Sequence, residues 1–335
     1  MARFKNLQDL ARLPWFEAAD EGRVALRDRG IGPVVDMHTH LALGYVRPFQ
    51  VDLGVRHACT EHYLPVHNPL DFEVYVNRNF TRAQLGGMKR DLTMRSFGPG
   101  GMRRTHTAAN LVAEMDEMGI AHSVLLPIDL PGISDNAGVY LAAAAGQSRL
   151  VGFGSVHPYS LAPEKRLREQ VARGARGIKL HPAVQMVRPD DPRAGRLYRV
   201  CGEHGVPVLW HCGPVGIEPV VGRFLSLVRW YERPIAENPG TTFILGHSGA
   251  LQAERALELC HRYPNVVLEL SSQGLSWVRT ILTQADPERV VYGSDWPFYH
   301  QAIALAKILL ATEDRPDLRR KVLYDNAARL LKLPA

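Results

Sequence analysis

His38 and His40 stand two residues apart in the run Val34-Val-Asp-Met-His-Thr-His40. Side chains alternate along an extended chain, so a His-x-His pair at a strand end turns both rings the same way. Imidazole is a good ligand for zinc and other divalent first-row metals. The pair alone is a weak signal, shared with ordinary surface and core histidines. Four further runs carry metal-competent or proton-transferring groups: Lys179-Leu-His181-Pro, Trp210-His211-Cys-Gly-Pro, Gly246-His247-Ser-Gly and Gly293-Ser-Asp295-Trp-Pro. Each follows a short apolar run. Their recurrence at the same kind of boundary points to one shared site, with a bound metal, rather than to separate accidents.

The elements that must position these residues are buried strands. Residues 32–36, 121–126, 150–156, 175–180, 206–210, 241–245, 265–270 and 289–292 form β-branched, apolar runs. They are too apolar to have a wet face, as in strands of a parallel sheet covered on both sides. Amphipathic stretches lie between them at 107–118, 163–173, 194–204, 253–263 and 301–312. In the first, Leu111, Val112, Met115 and Met118 recur at helical spacing. Eight strands alternating with helices is the arithmetic of an α/β, TIM-type (β/α)8 barrel, with a doubly wound sheet as the alternative. In a closed barrel the strand ends converge on one mouth.

One interval breaks the rhythm. Between the first two strands lie about 60 residues more than a helix and its loops need. This insertion, residues 41–105, contains His57, His62, His67, Arg56 and Arg78. An insertion after the first barrel strand lies at the active-site face, where it forms a cap. Residues 1–31 read as a short helical extension, leaving 32–335 as the barrel with its cap.

Composition bounds the function classes. Hydrophobic residues at 46% and charged residues at 22% exclude a disordered chain. The net charge of +6 is scattered, with no basic stripe interleaved with aromatics, so no nucleic-acid partner is expected. Four cysteines without a CxxC pair read as free thiols in a reducing compartment. No signal-like apolar segment opens the sequence and no run of about 18 apolar residues occurs, so a cytoplasmic protein without a membrane partner is expected.

Taken together, the motifs resemble the amidohydrolase superfamily in its amidohydrolase-2 branch. That branch includes aminocarboxymuconate-semialdehyde decarboxylase, resorcylate-type decarboxylases, oxalomesaconate hydratase and a pyrone-dicarboxylate lactonase. The resemblance covers about residues 32–335 and includes the closing run Tyr324-Asp-Asn-Ala-Ala-Arg-Leu-Leu331. It implies a divalent metal, zinc first, held by His38, His40, His211 and Asp295. It also implies that Asp295 accepts a proton from the metal's water, and that His247 moves protons or stabilises charge beside it. In a two-metal site, Lys179 (carboxylated and bridging) and His247 join the ligands. In a one-metal site, Lys179 is a cation for a substrate carboxylate, or structural. His181 and His157 are further candidates for substrate contact, and His157 also reads as a satisfied structural histidine.

The implied activity is hydrolysis, in which metal-activated water attacks an amide, ester or lactone carbonyl of a small carboxylated substrate. The alternative is a lyase, decarboxylating or hydrating an unsaturated or aromatic carboxylate. Arg56, Arg78 and Arg188 are candidates, by position, for binding such a carboxylate. Barrels of this branch often pair as homodimers through their insertions. Cys212, Trp210 and Trp296 read as packing residues, and His57, His62 and His67 as cap surface.

Overall fold

The computed structural model describes residues 2–27, 29–46 and 49–334. Eight parallel strands carry the fold: β1 (Val34–Thr39), β2 (Ile120–Leu125), β3 (Leu150–Gly152), β4 (Ile178–Leu180), β5 (Val208–His211), β6 (Phe243–Gly246), β7 (Val266–Glu269) and β8 (Val290–Val291). β1 to β3 form one sheet and β4 to β8 another, each in sequence order. Backbone hydrogen bonds join both seams. At one, the Gly154 N–H donates to Gly177 O and the Lys179 N–H to Gly154 O, each at 2.8 Å. At the other, the Met37 N–H donates to Tyr292 O at 3.0 Å and the Asp295 N–H to His38 O at 2.8 Å. The result is a TIM-type (β/α)8 barrel.

Alternation divides the strand residues between two packings. Val35, Val124, Leu209, Ile244, Val267 and Val291 cluster with Ala327 and Leu331 of the closing helical segment. Ile178, Val208, Phe243, Val266 and Val290 join the larger core, which also holds Leu111, Met115 and Met118. The β1–β2 register shifts between Asp36 and Thr39. Such a shift re-aims side chains, and it falls where the His-x-His pair sits.

The main helices are α1 (Arg82–Leu92), α2 (Ala108–Met118), α3 (Asn136–Ala145), α4 (Pro163–Ala172), α5 (Pro192–His204), α6 (Ala253–Arg262), α7 (Leu275–Gln284) and α8 (Gln301–Ala311). Their ends follow local chemistry. Asp191 caps α5 by accepting from the Arg193 N–H, and Gly205 leaves it with a left-handed φ of 58°. The helices α1, α3 and α7 lack a clear sequence signal. The first carries Gly86-Gly87 inside, the second is a run of Ala without a polar face, and the third is rich in β-branched residues.

The N-terminal extension is not α-helical. Its turns at Leu7–Arg12, Asp20–Gly22 and Arg29–Ile31 are 3-10, and Phe16–Ala18 pairs antiparallel with Val24–Leu26. Pro14 ends the first turn, and Leu7 and Leu10, three residues apart, are buried on one edge of it. None of the described helices is long and apolar enough to cross a membrane.

Helix α8 is buried on nearly every face and carries Lys307 inside. The Lys307 Nζ donates to Gln273 O at 2.5 Å, and burial pushes its pKa down to about 7. The unfolded chain holds this proton up to its ordinary pKa of 10.5. Between about pH 7 and 10 the unfolded state therefore binds more protons, and folding stability rises with pH across that window. Lys307→Met is expected to remove this slope, of up to about 1.4 kcal/mol per pH unit. Urea unfolding at three pH values checks it, and an unchanged slope in the variant would contradict the assignment.

Candidate metal centre and its cavity

The ends of β1, β4, β5, β6, β7 and β8 meet at the barrel mouth. His38 Nε2, His40 Nε2 and Asp295 Oδ1 belong to a buried group whose ligand atoms lie within 4.8 Å of one another. Asp295 Oδ1 is 3.7 Å from each of the two imidazole nitrogens. Atoms around a tetrahedral zinc at about 2.0 Å are about 3.3 Å apart, so a small contraction seats an ion here. Asp295 has a left-handed φ of 64°, which departs from the strand path and costs backbone energy. Gly293 is required beneath it: a Cβ there would lie 2.7 Å from His38 Cβ and would collide with Glu269.

Hydrogen bonds set which imidazole nitrogens are bare. His40 Nδ1 donates to Leu126 O at 2.7 Å, leaving Nε2 as a lone pair. His38 Nδ1 donates to Glu269 Oε2 at 2.7 Å, with the same consequence. The Ser271 hydroxyl donates to Glu269 Oε2 at 2.9 Å and accepts from His247 Nδ1 at 2.8 Å. His247 Nε2 must then accept from His211 Nδ1, 3.1 Å away. That leaves His211 Nε2 as a buried lone pair without a partner among the described residues. Two bare Nε2 atoms and a carboxylate oxygen in one tight group, those of His38, His40 and Asp295, fit a divalent ion. His211 stands outside the tight group of His38, His40 and Asp295, with its ring stacked 4.0 Å from that of His181.

Electrostatics favour neutral rings. Burial, and next the Lys179 ammonium, push His40 down to about 3 and His38 well below the ordinary histidine range. Lys179 is fully buried, and burial lowers it to about 8 against the pull of Asp295 and Glu269. Its Nζ lies 3.2 Å from His38 Nε2, the lone pair that an ion would use. Burial also lifts Glu269 to about 7, although the His247 and Ser271 N–H groups donate to it.

A cavity of about 480 Å³ opens above this floor. His40, His181, His211, His247 and Asp295 line it, and the insertion contributes Tyr45, Tyr75, Lys89 and Phe97 to its wall. The insertion is tied down over the mouth by Val76 N–H to Ser272 O at 3.0 Å and Leu64 N–H to Phe298 O at 2.9 Å. His181 Nδ1 accepts from the Val184 N–H at 3.4 Å, so Nε2 carries the proton. His247 lines the cavity with both ring nitrogens engaged by Ser271 and His211.

Several expected contacts lie elsewhere. His157 bonds Gln185 O through Nε2 and the Tyr159 N–H through Nδ1, so it is a structural histidine outside the cavity lining. Lys179 also lies outside that lining, buried below it. Arg56 donates to Asn110, Arg78 is exposed, and Arg188 pairs with Asp190 over the Trp230 ring, so none of them lines the cavity. His62 is not on the cap surface: it is buried, and its Nε2 donates to Glu114 at 2.8 Å. Trp296 is buried and donates to the same carboxylate at 3.1 Å. Glu269 and Ser271 went unnoticed in the sequence. The signal was a lone Glu inside the apolar run Val266-Val-Leu-Glu-Leu270, since a buried charge in such a strand needs partners.

A parallel barrel whose mouth gathers histidines and an aspartate defines a class of enzyme-like scaffolds built to hold a divalent ion. Within it, the chain belongs to the amidohydrolase family, whose pattern matches residues 35–333. No curated protein matches it in sequence. Among solved structures, an uncharacterized TIM-barrel protein from Bordetella bronchiseptica is 18% identical with a TM-score of 0.63, covering 90% of this chain and 99% of that one. The 5-carboxyvanillate decarboxylase of Sphingomonas paucimobilis is 14% identical, with a TM-score of 0.63 and the same coverages. A probable 2-pyrone-4,6-dicarboxylic acid hydrolase from Acinetobacter baumannii is 14% identical with a TM-score of 0.57, covering 90% of this chain and 100% of that one. At these identities the likeness concerns the fold.

Proposed function

We propose that this protein is a metal-dependent hydrolase that opens an amide, ester or lactone bond of a small carboxylated substrate. The observation that carries the reading is the pair of bare Nε2 atoms on His38 and His40 grouped with Asp295 Oδ1 beneath the cavity, with His211 as a further ligand in this reading. A divalent ion, zinc first, supplies Lewis acidity when bound, polarising a carbonyl and making water a nucleophile near neutral pH. Asp295 Oδ2 is held by the Ser272 hydroxyl at 3.2 Å, which orients the carboxylate to take a proton from attacking water. His181 Nε2–H faces the cavity as a neutral donor for a substrate oxygen. The insertion walls part of the cavity and limits the access of bulk water to its floor.

A second reading is favoured by the walls. Leu43, Leu92, Ile128, Val184 and Phe298 surround the floor. An apolar wall destabilises a carboxylate and favours its departure as carbon dioxide. The C–C bond then breaks, its electron pair stays on the substrate carbon, and a proton is delivered there.

Elemental analysis of protein purified without chelator tests the reading. About one ion per chain is expected, retained in Lys179→Met. A ratio near two that falls in this variant would make Lys179 a bridging ligand instead. Ester, lactone and amide panels should then show turnover that chelation abolishes. Carbon dioxide release from hydroxybenzoates without ester turnover would select the lyase. Protein that binds no divalent ion would overturn both readings.

A further inference from the structure

We propose that the cavity selects an amphipathic acid: a reacting group at the floor, an apolar body, and a distal anionic terminus held by Lys89 of the cap. The inference rests on the metal-centre reading above and adds the class of substrate. Apolar side chains, among them Leu92, Ile128, Val184, Ile217 and Phe298, make up most of the wall between floor and cap. Such a wall gains by covering an apolar body and loses by desolvating a charge. A carboxylate elsewhere on the substrate therefore needs a cation at the cavity's edge.

Lys89 is the one Lys or Arg among the described residues that lines this cavity. It stands in the last turn of α1, and Lys89, Leu92, Thr93 and Ser96 face the cavity at helical spacing. Lys89 makes no ion pair among the described residues, and it is exposed, so no partner group competes for its ammonium. The other cations proposed for this task are occupied or remote. Lys179 is fully buried against His38, and Arg188 is paired with Asp190. The wall's other acid, Glu218, is held by the Val215 and Gly216 N–H groups at 2.5 and 2.8 Å and makes no ion pair with Lys89. Floor and cation thus line one largely apolar cavity, the first from the strand ends and the second from the helix of the insertion.

The test uses two series of hydroxamates on zinc-loaded protein, with affinity read by calorimetry. One series ends in a methyl group and the other in a carboxylate, each with four to eight carbons. At one chain length the carboxylate-ended probe is expected to bind about tenfold more tightly than its methyl partner, the size of one charge-assisted contact. That ratio should fall to about one in Lys89→Met, invert in Lys89→Glu and persist in Lys89→Arg. A carboxylate series that never exceeds the methyl series in wild type, or an advantage that survives in Lys89→Met, overturns the inference and leaves the metal centre standing. If neither series binds zinc-loaded protein, the metal-centre reading falls and this inference falls with it.

Discussion

Asp295→Ala is expected to lower turnover by more than about a thousandfold and to abolish tight metal binding. The substitution removes a ligand oxygen and the carboxylate that Ser272 orients. His38→Ala should do the same, because His38 Nε2 lies in the same tight group. Neither change should unfold the barrel. Asp295 is buried at a cost, since burial drives its pKa well above the ordinary carboxylate range, so removing it relieves a desolvation penalty. The check is thermal unfolding with and without added zinc. Wild type should gain stability by mass action, and the variants should gain none while keeping their native circular dichroism. A variant with near-normal turnover would remove the metal mechanism.

Glu269→Gln should weaken metal binding by about ten- to a hundredfold, although Glu269 is not itself in the proposed ligand set. Its carboxylate receives His38 Nδ1, the His247 N–H, the Ser271 N–H and the Ser271 hydroxyl. Through His38 it fixes one ligand tautomer directly. Through Ser271 and His247 it fixes that of His211 as well. An amide brings its own N–H donors into a place that needs an acceptor, so two donors meet and the relay loses its direction. Stability should also fall, by about 1–3 kcal/mol for a buried donor left unpaired. Metal titration by calorimetry and urea unfolding check the two effects. Unchanged affinity would mean that the histidine tautomers are set independently of Glu269.

Much of this protein was legible in its sequence. The eight strand runs were visible because strands covered on both faces are apolar throughout, and that pattern is local. The His-x-His pair, Lys179, His181, His211, His247 and Asp295 were visible because each stands at or near the end of such a run, and barrel geometry brings those ends to one mouth. Family membership followed from the same motifs, since residues 35–333 carry them in order.

What only the tertiary structure decided depends on distance between remote segments. Sequence position could not show that Glu269, 231 residues from His38, would set its tautomer. It could not place His62 inside the protein, because its partner Glu114 lies 52 residues away on α2. Nor could it separate Lys179 from Lys89. The first sits in a strand, where alternation aims it into the barrel below the cavity. The second sits on a helix of the insertion, whose preceding segments bond Ser272 and Phe298 through Val76 and Leu64. Strand patterns record which way a side chain points relative to its own backbone. They do not record what another segment brings to meet it, and at this site that meeting sets the ligand tautomers and the charge at the cavity's edge.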